Sequence, residues 1–164
     1  MKRIYVNEKW CLGCHLCEYY CAFANSGQDD MVKALKDIEI NPRIRIEEMN
    51  GISFAVSCRH CQEPLCVKSC ITGALSIQDG IIRSDKTRCV GCYTCILSCP
   101  YGAVMPSDEG VIQKCELCMQ NSKISGASSP TRFRSDLLSQ MTINGGQPVC
   151  VQGCPNKAIL FEER

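Results

Sequence analysis

Short apolar runs, separated by polar or cysteine-rich stretches, recur along the whole chain of 164 residues. Runs of this length that are rich in β-branched and aromatic residues predict short strands. Between two of them, Asp79-Gly80 has the sequence of a tight hairpin turn. The pattern therefore predicts small antiparallel sheets, with strands in the segments RIYV, SFAV, LSI, GIIR and AILF.

A helical pattern occupies part of the long interval 119–149. The apolar residues spaced along one predicted helical face are Phe133, Leu137, Leu138 and Met141. The preceding stretch, 122–130, is rich in serine and glycine, a composition typical of a mobile connection. Two interpretations remain open, a short helix that covers the chain's own core and an insertion that docks another subunit.

Cysteine dominates the composition, since the chain contains 16 cysteines, about one residue in ten. Such a density requires cross-linking, metal or cluster chemistry. The charge is nearly balanced, at +1 from 18 basic and 17 acidic residues. A balanced charge gives no electrostatic reason to expect nucleic acid or an anionic membrane surface as a partner.

The cysteines fall into four groups of four. They are Cys11, Cys14, Cys17 and Cys21; Cys58, Cys61, Cys66 and Cys70; Cys89, Cys92, Cys95 and Cys99; and Cys115, Cys118, Cys150 and Cys154. The first and third groups follow C-x2-C-x2-C-x3-C, the bacterial ferredoxin spacing, in which three sulfurs bind one [4Fe–4S] cube and the fourth binds a neighbouring cube. The sequence therefore predicts cubane iron–sulfur clusters with cysteine ligands.

Two other uses of cysteine fit the sequence less well. A disulfide scaffold belongs to an oxidising compartment, but the first residues, MKRIYVNEKWC, contain no apolar signal segment. Structural zinc is held by pairs of C-x2-C units. Zinc would explain KCELC, which contains Cys115 and Cys118, but not the closely spaced triplets.

The order of the groups predicts two units with two clusters each. The second and third groups lie back to back in an inner unit, 51–109, and the first and last groups form an outer unit, 1–50 plus 110–164. If the fourth cysteines bind across within each unit, the chain ends fold together around the inserted inner unit. Short helices are expected after the fourth cysteines. The predicted class is α+β, with two bacterial-ferredoxin-like units, small antiparallel sheets and short helices.

Over almost its whole length, the chain resembles the polyferredoxin-type electron-transfer subunits that accompany formate dehydrogenases, dimethyl sulfoxide reductase, hydrogenases, carbon monoxide dehydrogenase and tungsten aldehyde oxidoreductases. The resemblance rests on CLGCHLCEYYC, CRHCQEPLC, CVGCYTCILSCPYGA, and KCELC with PVCVQGCPNKA. It implies four [4Fe–4S] clusters in two pseudo-symmetric halves. The ligand sets that it implies are Cys11, Cys14 and Cys17 with Cys154; Cys115, Cys118 and Cys150 with Cys21; Cys58, Cys61 and Cys66 with Cys99; and Cys89, Cys92 and Cys95 with Cys70.

The resemblance also implies a function, that of an electron-transfer subunit in a hetero-oligomer that connects a catalytic oxidoreductase subunit to a further redox protein. Among catalytic partners, carbon monoxide dehydrogenase or tungsten aldehyde oxidoreductase is favoured. Sixteen thiolates fill four cubes, so we expect no open iron and no catalytic residue. A free, diffusible ferredoxin and a zinc-binding interaction module are the alternatives. Free thiols suit a reducing, anaerobic cytoplasm, and no membrane span is expected.

The charges near the cysteines matter because four oxidised cubes would change the formal charge from +1 to roughly −7. Basic residues beside or between the ligands could offset this charge, or they could be ordinary solvated surface residues. They are Arg59, Lys68, Arg88, Lys114 and Lys157. His15 and His60 lie inside the cysteine loops, where we expect packing or a hydrogen bond to sulfur rather than ligation.

Overall fold

The computed structural model describes residues 1–26, 36, 41–118 and 147–163. These residues form four two-stranded antiparallel sheets, four helices and a 3-10 turn at Glu8–Trp10. The strands are β1 Arg3–Val6, β2 Arg45–Met49, β3 Ile52–Val56, β4 Leu75–Gln78, β5 Ile81–Ser84, β6 Val104–Pro106, β7 Ile112–Lys114 and β8 Ile159–Glu162. The helices are α1 Leu16–Asn25, α2 Leu65–Lys68, α3 Thr94–Leu97 and α4 Val149–Gln152. The predicted small antiparallel sheets and short helices are confirmed, whereas the predicted helical face at 132–141 lies outside the described residues.

Two of the sheets are tight hairpins. Asp79-Gly80 connects β4 to β5 with φ angles of 51° and 76°. Asn50-Gly51 connects β2 to β3 with nearly the same angles, 53° and 75°. Positive φ at both central residues suits the type I′ turn, whose twist matches that of the strands. The β4–β5 hairpin was predicted from the sequence, but β2 was not recognised as the partner of β3.

The first and last strands bring the two ends of the described chain together. Arg3 pairs with Glu162 and Val6 with Ile159, so that β1 and β8 align over their full length. The backbone N–H of Asn7 extends this pairing by donating to the carbonyl of Ala158 at 2.7 Å. The pairing places the first and last cysteine-containing segments side by side.

Three of the four helices precede the fourth cysteine of their group instead of following it. Helices α2, α3 and α4 contain Cys66, Cys95 and Cys150 and end before the fourth cysteine. The prediction of helices after the fourth cysteines was therefore wrong for these three groups, whereas α1 contains Cys21 and continues to Asn25. The physical reason is a turn that follows the fourth cysteine and directs the chain into a strand.

That turn has the same form in three places. Gly73, Gly102 and Lys157 each stand three residues after a fourth cysteine and have φ angles of 63°, 58° and 51°. The N–H of each donates to the carbonyl of its cysteine at 3.2 Å. A positive φ cannot continue a right-handed helix, so the chain leaves the turn as β4, β6 or β8.

Seven of the eighteen buried residues in the core of the described chain are cysteines. Its buried aliphatic residues, which include Ile4, Ile44, Ile82 and Ile112, pack in one cluster with buried cysteines. The limits of the predicted inner unit, 51 and 109, fall in the turns of the β2–β3 and β6–β7 hairpins. Each hairpin therefore gives one strand to each predicted unit.

Candidate iron–sulfur centres

All sixteen cysteines are free thiols, and all lie in the described part of the chain. Those that are buried are Cys17, Cys21, Cys58, Cys66, Cys95, Cys115 and Cys150, whereas Cys14 and Cys92 are exposed. Thiolate sulfur is the usual ligand of [4Fe–4S] clusters. The donor set therefore fits the predicted cofactor.

A left-handed residue precedes the second cysteine of each group. These residues are Gly13, His60, Gly91 and Leu117, with φ angles of 64°, 46°, 66° and 56°. Side-chain-bearing residues rarely adopt this conformation. The four loops therefore share this one backbone feature, even where glycine is absent.

The first of four thiol sets joins the two ends of the chain. Cys11, Cys14, Cys17 and Cys154 line one pocket together with Trp10, Leu12, Ile46 and Pro155. We call these four cysteines the Cys11 set. Burial raises the pKa of the Cys17 thiol to about 12, and the Glu18 carboxylate and the thiols of Cys11 and Cys14 add to the effect.

The second set, called the Cys21 set, contains Cys21, Cys115, Cys118 and Cys150. Burial raises the pKa values of Cys21 and Cys115 to about 12 and that of Cys150 well above its usual value. The neighbouring thiols of Cys115, Cys21 and Cys118 raise the pKa of Cys150 further. Helix α1 supplies Cys21, and α4 supplies Cys150.

The third set, called the Cys58 set, contains Cys58, Cys61, Cys66 and Cys99. Burial raises the pKa of Cys66 to about 11, and the thiols of Cys58 and Cys99 raise it further. Burial also raises the pKa of Cys58, with Cys61 and Cys99 among the neighbours that add to the effect. Cys99 thus lies among the first three cysteines of another group.

The fourth set, called the Cys70 set, contains Cys70, Cys89, Cys92 and Cys95. Burial raises the pKa of Cys95, and the neighbouring thiols of Cys70, Cys89 and Cys92 raise it further. The Thr94 hydroxyl donates to Cys92 Sγ at 3.5 Å and lowers the pKa of that thiol. In each of the four sets, the fourth cysteine of one group is thus a neighbour of cysteines from another group, and the binding of one cluster by each set stays a prediction.

High thiol pKa values have a consequence for metal binding. A buried thiol resists ionisation because the thiolate loses its hydration. A cluster binds thiolates, so binding at the buried cysteines must displace protons. Among the described residues, no three Cys, His, Asp or Glu side chains converge on a point that one metal ion could occupy. A cubane does not require such convergence, since its cysteine ligands bind at different iron corners.

Backbone N–H groups point at the fourth-cysteine sulfurs. Ala103 donates to Cys99 Sγ at 3.4 Å, and Ala158 donates to Cys154 Sγ at 3.3 Å. In the equivalent turn, the N–H groups of residues 72, 74 and 75 lower the pKa of Cys70 against the opposing effect of burial. Such bonds stabilise negative charge on sulfur and tune cluster potentials. The signal missed in the sequence is the repeat ITGA, PYGA and PNKA.

Cys21 differs because it lies within α1 instead of before such a turn. The N–H of Arg43 donates to its Sγ at 3.2 Å, and Asn25 Nδ2 donates at 3.7 Å. The Glu18 side chain fixes the same helix, since its Oε1 accepts from Ile46 N at 2.5 Å. The N–H of Arg43, which lies outside the helix, and the side chain of Asn25, the last residue of α1, therefore supply the hydrogen bonds that the turn supplies elsewhere.

The two histidines have different roles. His60 is 0% exposed, and its Nδ1 accepts a hydrogen bond from the N–H of Ile82 at 3.0 Å. Burial, aided by Lys114 and Arg3, lowers its pKa to about 3, so the ring is neutral and Nε2 carries the proton. Nε2 has no partner among the described residues. His15 is exposed and bonds to Glu18 at 2.6 Å.

The five basic residues singled out in the sequence divide into four that are at least partly exposed and one that is buried. Lys68 pairs with Glu63 at the surface, Arg88 donates to the Thr72 carbonyl at 2.9 Å, and Arg59 lies 5.8 Å from the Tyr101 ring centre. Lys157 is exposed in its turn. Lys114 alone of the five is buried, at 1% exposure.

Comparison with known proteins agrees with this geometry. The family described as 4Fe-4S dicluster domain matches residues 49–135, just over half of the chain. An iron-sulfur protein of Rhodospirillum rubrum is 32% identical over 95% of this chain and 79% of its own length. The chain belongs to this 4Fe-4S family, and it is an iron–sulfur protein of the electron-transport class.

Two further relatives differ in how much of their own length is similar to this chain. The thiosulfate reductase electron transfer subunit PhsB of Salmonella typhi is 30% identical, with 94% of this chain and 72% of that protein covered. The putative oxidoreductase UacF of Escherichia coli is 30% identical over 91% of this chain, which spans only 19% of that longer protein. Within the described residues, no helix has the length and apolar character needed to cross a membrane.

Proposed function

We propose that this chain is the electron-transfer subunit of an oxidoreductase complex and carries four [4Fe–4S] clusters. The observation that carries the proposal is the interleaving of the thiols. In every set, the fourth cysteine of one group lies with the first three of another. That arrangement is the one expected for paired cubanes in ferredoxins.

Each set would hold one cluster. The Cys11 and Cys21 sets would form the outer pair, in 1–50 plus 110–164, and the Cys58 and Cys70 sets would form the inner pair, in 51–109. Four thiolates saturate a cube, so no iron is left to bind a substrate. The clusters supply one-electron transfer, and the chain's own residues hold the thiolates, donate N–H groups to sulfur and exclude water.

The neighbour relations favour a linear order of the sets. The Cys17 thiol raises the pKa of Cys150, so the Cys11 set borders the Cys21 set. Cys66 of the Cys58 set lies on α2, and Cys70 of the Cys70 set follows the end of that helix by two residues, so the Cys58 set borders the Cys70 set. Lys114 acts on both Cys115 and Cys58, and it connects the two pairs. The Cys11 and Cys70 sets would therefore be the terminal ones.

The two terminal sets reach the surface. Cys14 and Cys92 are exposed, and so are Leu12 beside the first and Val90 and Leu97 near the second. Exposed apolar side chains around a redox centre suit docking of a protein partner. Electrons would enter at one terminal set and leave at the other.

For the catalytic partner, the family resemblance favours carbon monoxide dehydrogenase or tungsten aldehyde oxidoreductase, in a hetero-oligomer of the cytoplasm. The relatives support a role beside an oxidoreductase, because one is named as the electron transfer subunit of thiosulfate reductase and another as a putative oxidoreductase. Purification of the native complex under anoxic conditions tests this proposal. A catalytic chain that remains bound would support it, and a monomer that reduces acceptors without any bound chain would favour a diffusible ferredoxin.

A pair of variants tests the ligand assignment. Cys17→Ser should alter the cluster of the Cys11 set, and Cys21→Ser should alter that of the Cys21 set. Paramagnetic resonance of the reduced proteins should then show two different signals affected. If both variants change the same signal, the interleaved assignment is wrong. Iron and acid-labile sulfide analysis excludes the zinc alternative if both elements are present in amounts expected for four cubes.

A further inference from the structure

A lysine ammonium is buried between two of the cluster sites. Lys114, the last residue of β7, is 1% exposed. Its Nζ donates to the backbone carbonyls of Ile82 and Cys115, the latter at 2.7 Å. No carboxylate in the described ranges forms an ion pair with it. A buried ammonium that has only dipoles as partners is costly, so a nearby anion is expected.

The two carbonyls connect Lys114 to two different thiol sets. Cys115 is itself a member of the Cys21 set. Ile82 accepts the lysine hydrogen bond at its carbonyl and donates its N–H to His60, which lies between Cys58 and Cys61. The ammonium therefore lies between a loop of the outer unit and a loop of the inner unit.

Lys114 lies close enough to act electrostatically on cysteines of both sets. These cysteines are Cys58, Cys66 and Cys115. Two of these thiols belong to the Cys58 set and one to the Cys21 set. One cation thus acts on thiols of two sets.

We propose that Lys114 is a counter-charge shared by the clusters of the Cys58 and Cys21 sets, and that it raises the reduction potentials of both. The proposal rests on the cluster assignment above. Reduction adds negative charge to a centre that is already anionic, and burial opposes that charge. These two sets lie in the middle of the proposed order and contain most of the buried cysteines. Without a cation between them, they would be the hardest to reduce and would impede electron passage between the units.

The test is a redox titration of the fully loaded protein, followed by paramagnetic resonance. The variants Lys114→Met and Lys114→Gln remove the charge, and the second keeps hydrogen-bond donors for the two carbonyls. At a fixed potential, the ratio of reduced to oxidised cluster should fall at least tenfold at both sets, equivalent to 59 mV for a one-electron couple. The clusters of the Cys11 and Cys70 sets should change less than threefold. Cys66→Ser and Cys118→Ser assign the two signals.

The control is Lys68→Met. Lys68 stands two residues from Cys66 and two from Cys70, but its side chain is 58% exposed and pairs with Glu63. Because water and salt screen such a charge, this variant should leave all four potentials within threefold of the wild type. Lys114→Arg, which keeps the charge, should retain wild-type potentials.

The outcomes distinguish the shared charge from other roles. A shift at only one of the two sets, or at neither, overturns the proposal. If neither neutral variant assembles these two clusters, Lys114→Arg decides: retention of both clusters supports a requirement for charge, and their loss shows a role in packing alone. Absence of cubane iron and sulfide in the wild type would refute the proposed function itself, which is a separate result.

Discussion

Substitution of Gly153 should test the packing that joins the two helices of the outer unit. Gly153 follows α4 and immediately precedes Cys154. A Cβ atom added at this position would overlap ring carbons Cδ2 and Cε2 of Tyr20, which lies on α1. The backbone conformation itself suits alanine, since φ is −78°. The cost of Gly153→Ala is therefore steric and comes from one rigid ring.

The magnitude follows from two opposing effects. Overpacking of a well-packed site costs about 1–3 kcal/mol, and the overlap here favours the upper end. Alanine in place of glycine at a helix end that needs no positive φ gains up to about 1 kcal/mol. We expect a net destabilisation of about 2 kcal/mol, which is a fall of about 4–8 °C in the unfolding midpoint for a chain of this size.

The assay is the midpoint of anaerobic thermal unfolding at one fixed scan rate, with loss of cluster absorbance recorded in parallel. In a Tyr20→Ala background, Gly153→Ala should become neutral or slightly stabilising, because the obstructing ring is gone. Gly51→Ala is the matched control for a glycine that is needed only for its φ of 75°, with open space around it. An unchanged midpoint for Gly153→Ala, or an equal loss in both backgrounds, would refute the packing argument.

Three further variants test other parts of the structure. Gly91→Ala should reduce iron incorporation at the Cys70 set, because Gly91 has a φ of 66° and an added Cβ would overlap the carbonyl oxygen of Gly110. Gly110→Ala, where the added Cβ has open space, should incorporate iron normally. Equal iron incorporation in the two variants would contradict this reasoning. Ser84→Ala should lower the free energy of unfolding by about 1–3 kcal/mol in the same thermal scan, because the Ser84 hydroxyl donates at 2.6 Å to the buried carboxylate of Glu116. An unchanged unfolding midpoint would show that this hydrogen bond is dispensable. Leu97→Ser, at a side chain that is 88% exposed, should keep iron content and slow electron transfer with a partner protein severalfold, and unchanged transfer would remove Leu97 from the docking surface.

The strands and the cysteine groups could be predicted because both are encoded locally. An apolar run between turn residues already limits a segment to a strand, and the rule that identified Asp79-Gly80 would also have identified Asn50-Gly51. The helix positions could not be derived from cysteine spacing. They depend on the positive φ of Gly73, Gly102 and Lys157, and the last of these is not a glycine.

The burial of Lys114 could not be predicted from the sequence. Lys68, Lys114 and Lys157 all stand close to cysteines, so their local sequence gives no reason to separate them. What separates them is the packing of β5 against β7, which places the carbonyl of Ile82 over one lysine only. The left-handed conformation of Leu117 could not be predicted from its residue type either, although it precedes the second cysteine of a C-x2-C unit as Gly13 and Gly91 do.

The pairing of β1 with β8 has a consequence for the biogenesis of the protein. Ribosomal synthesis makes β1 long before its partner strand, residues 159–162, because the whole intervening chain separates the two strands in sequence. The hairpin of β4 and β5, in contrast, closes within ten residues. Cys11, Cys14 and Cys17 must therefore wait for Cys154 while the middle of the chain can already fold. During this delay their thiols depend on the surrounding redox environment, so translation under oxidising conditions should damage these three cysteines first.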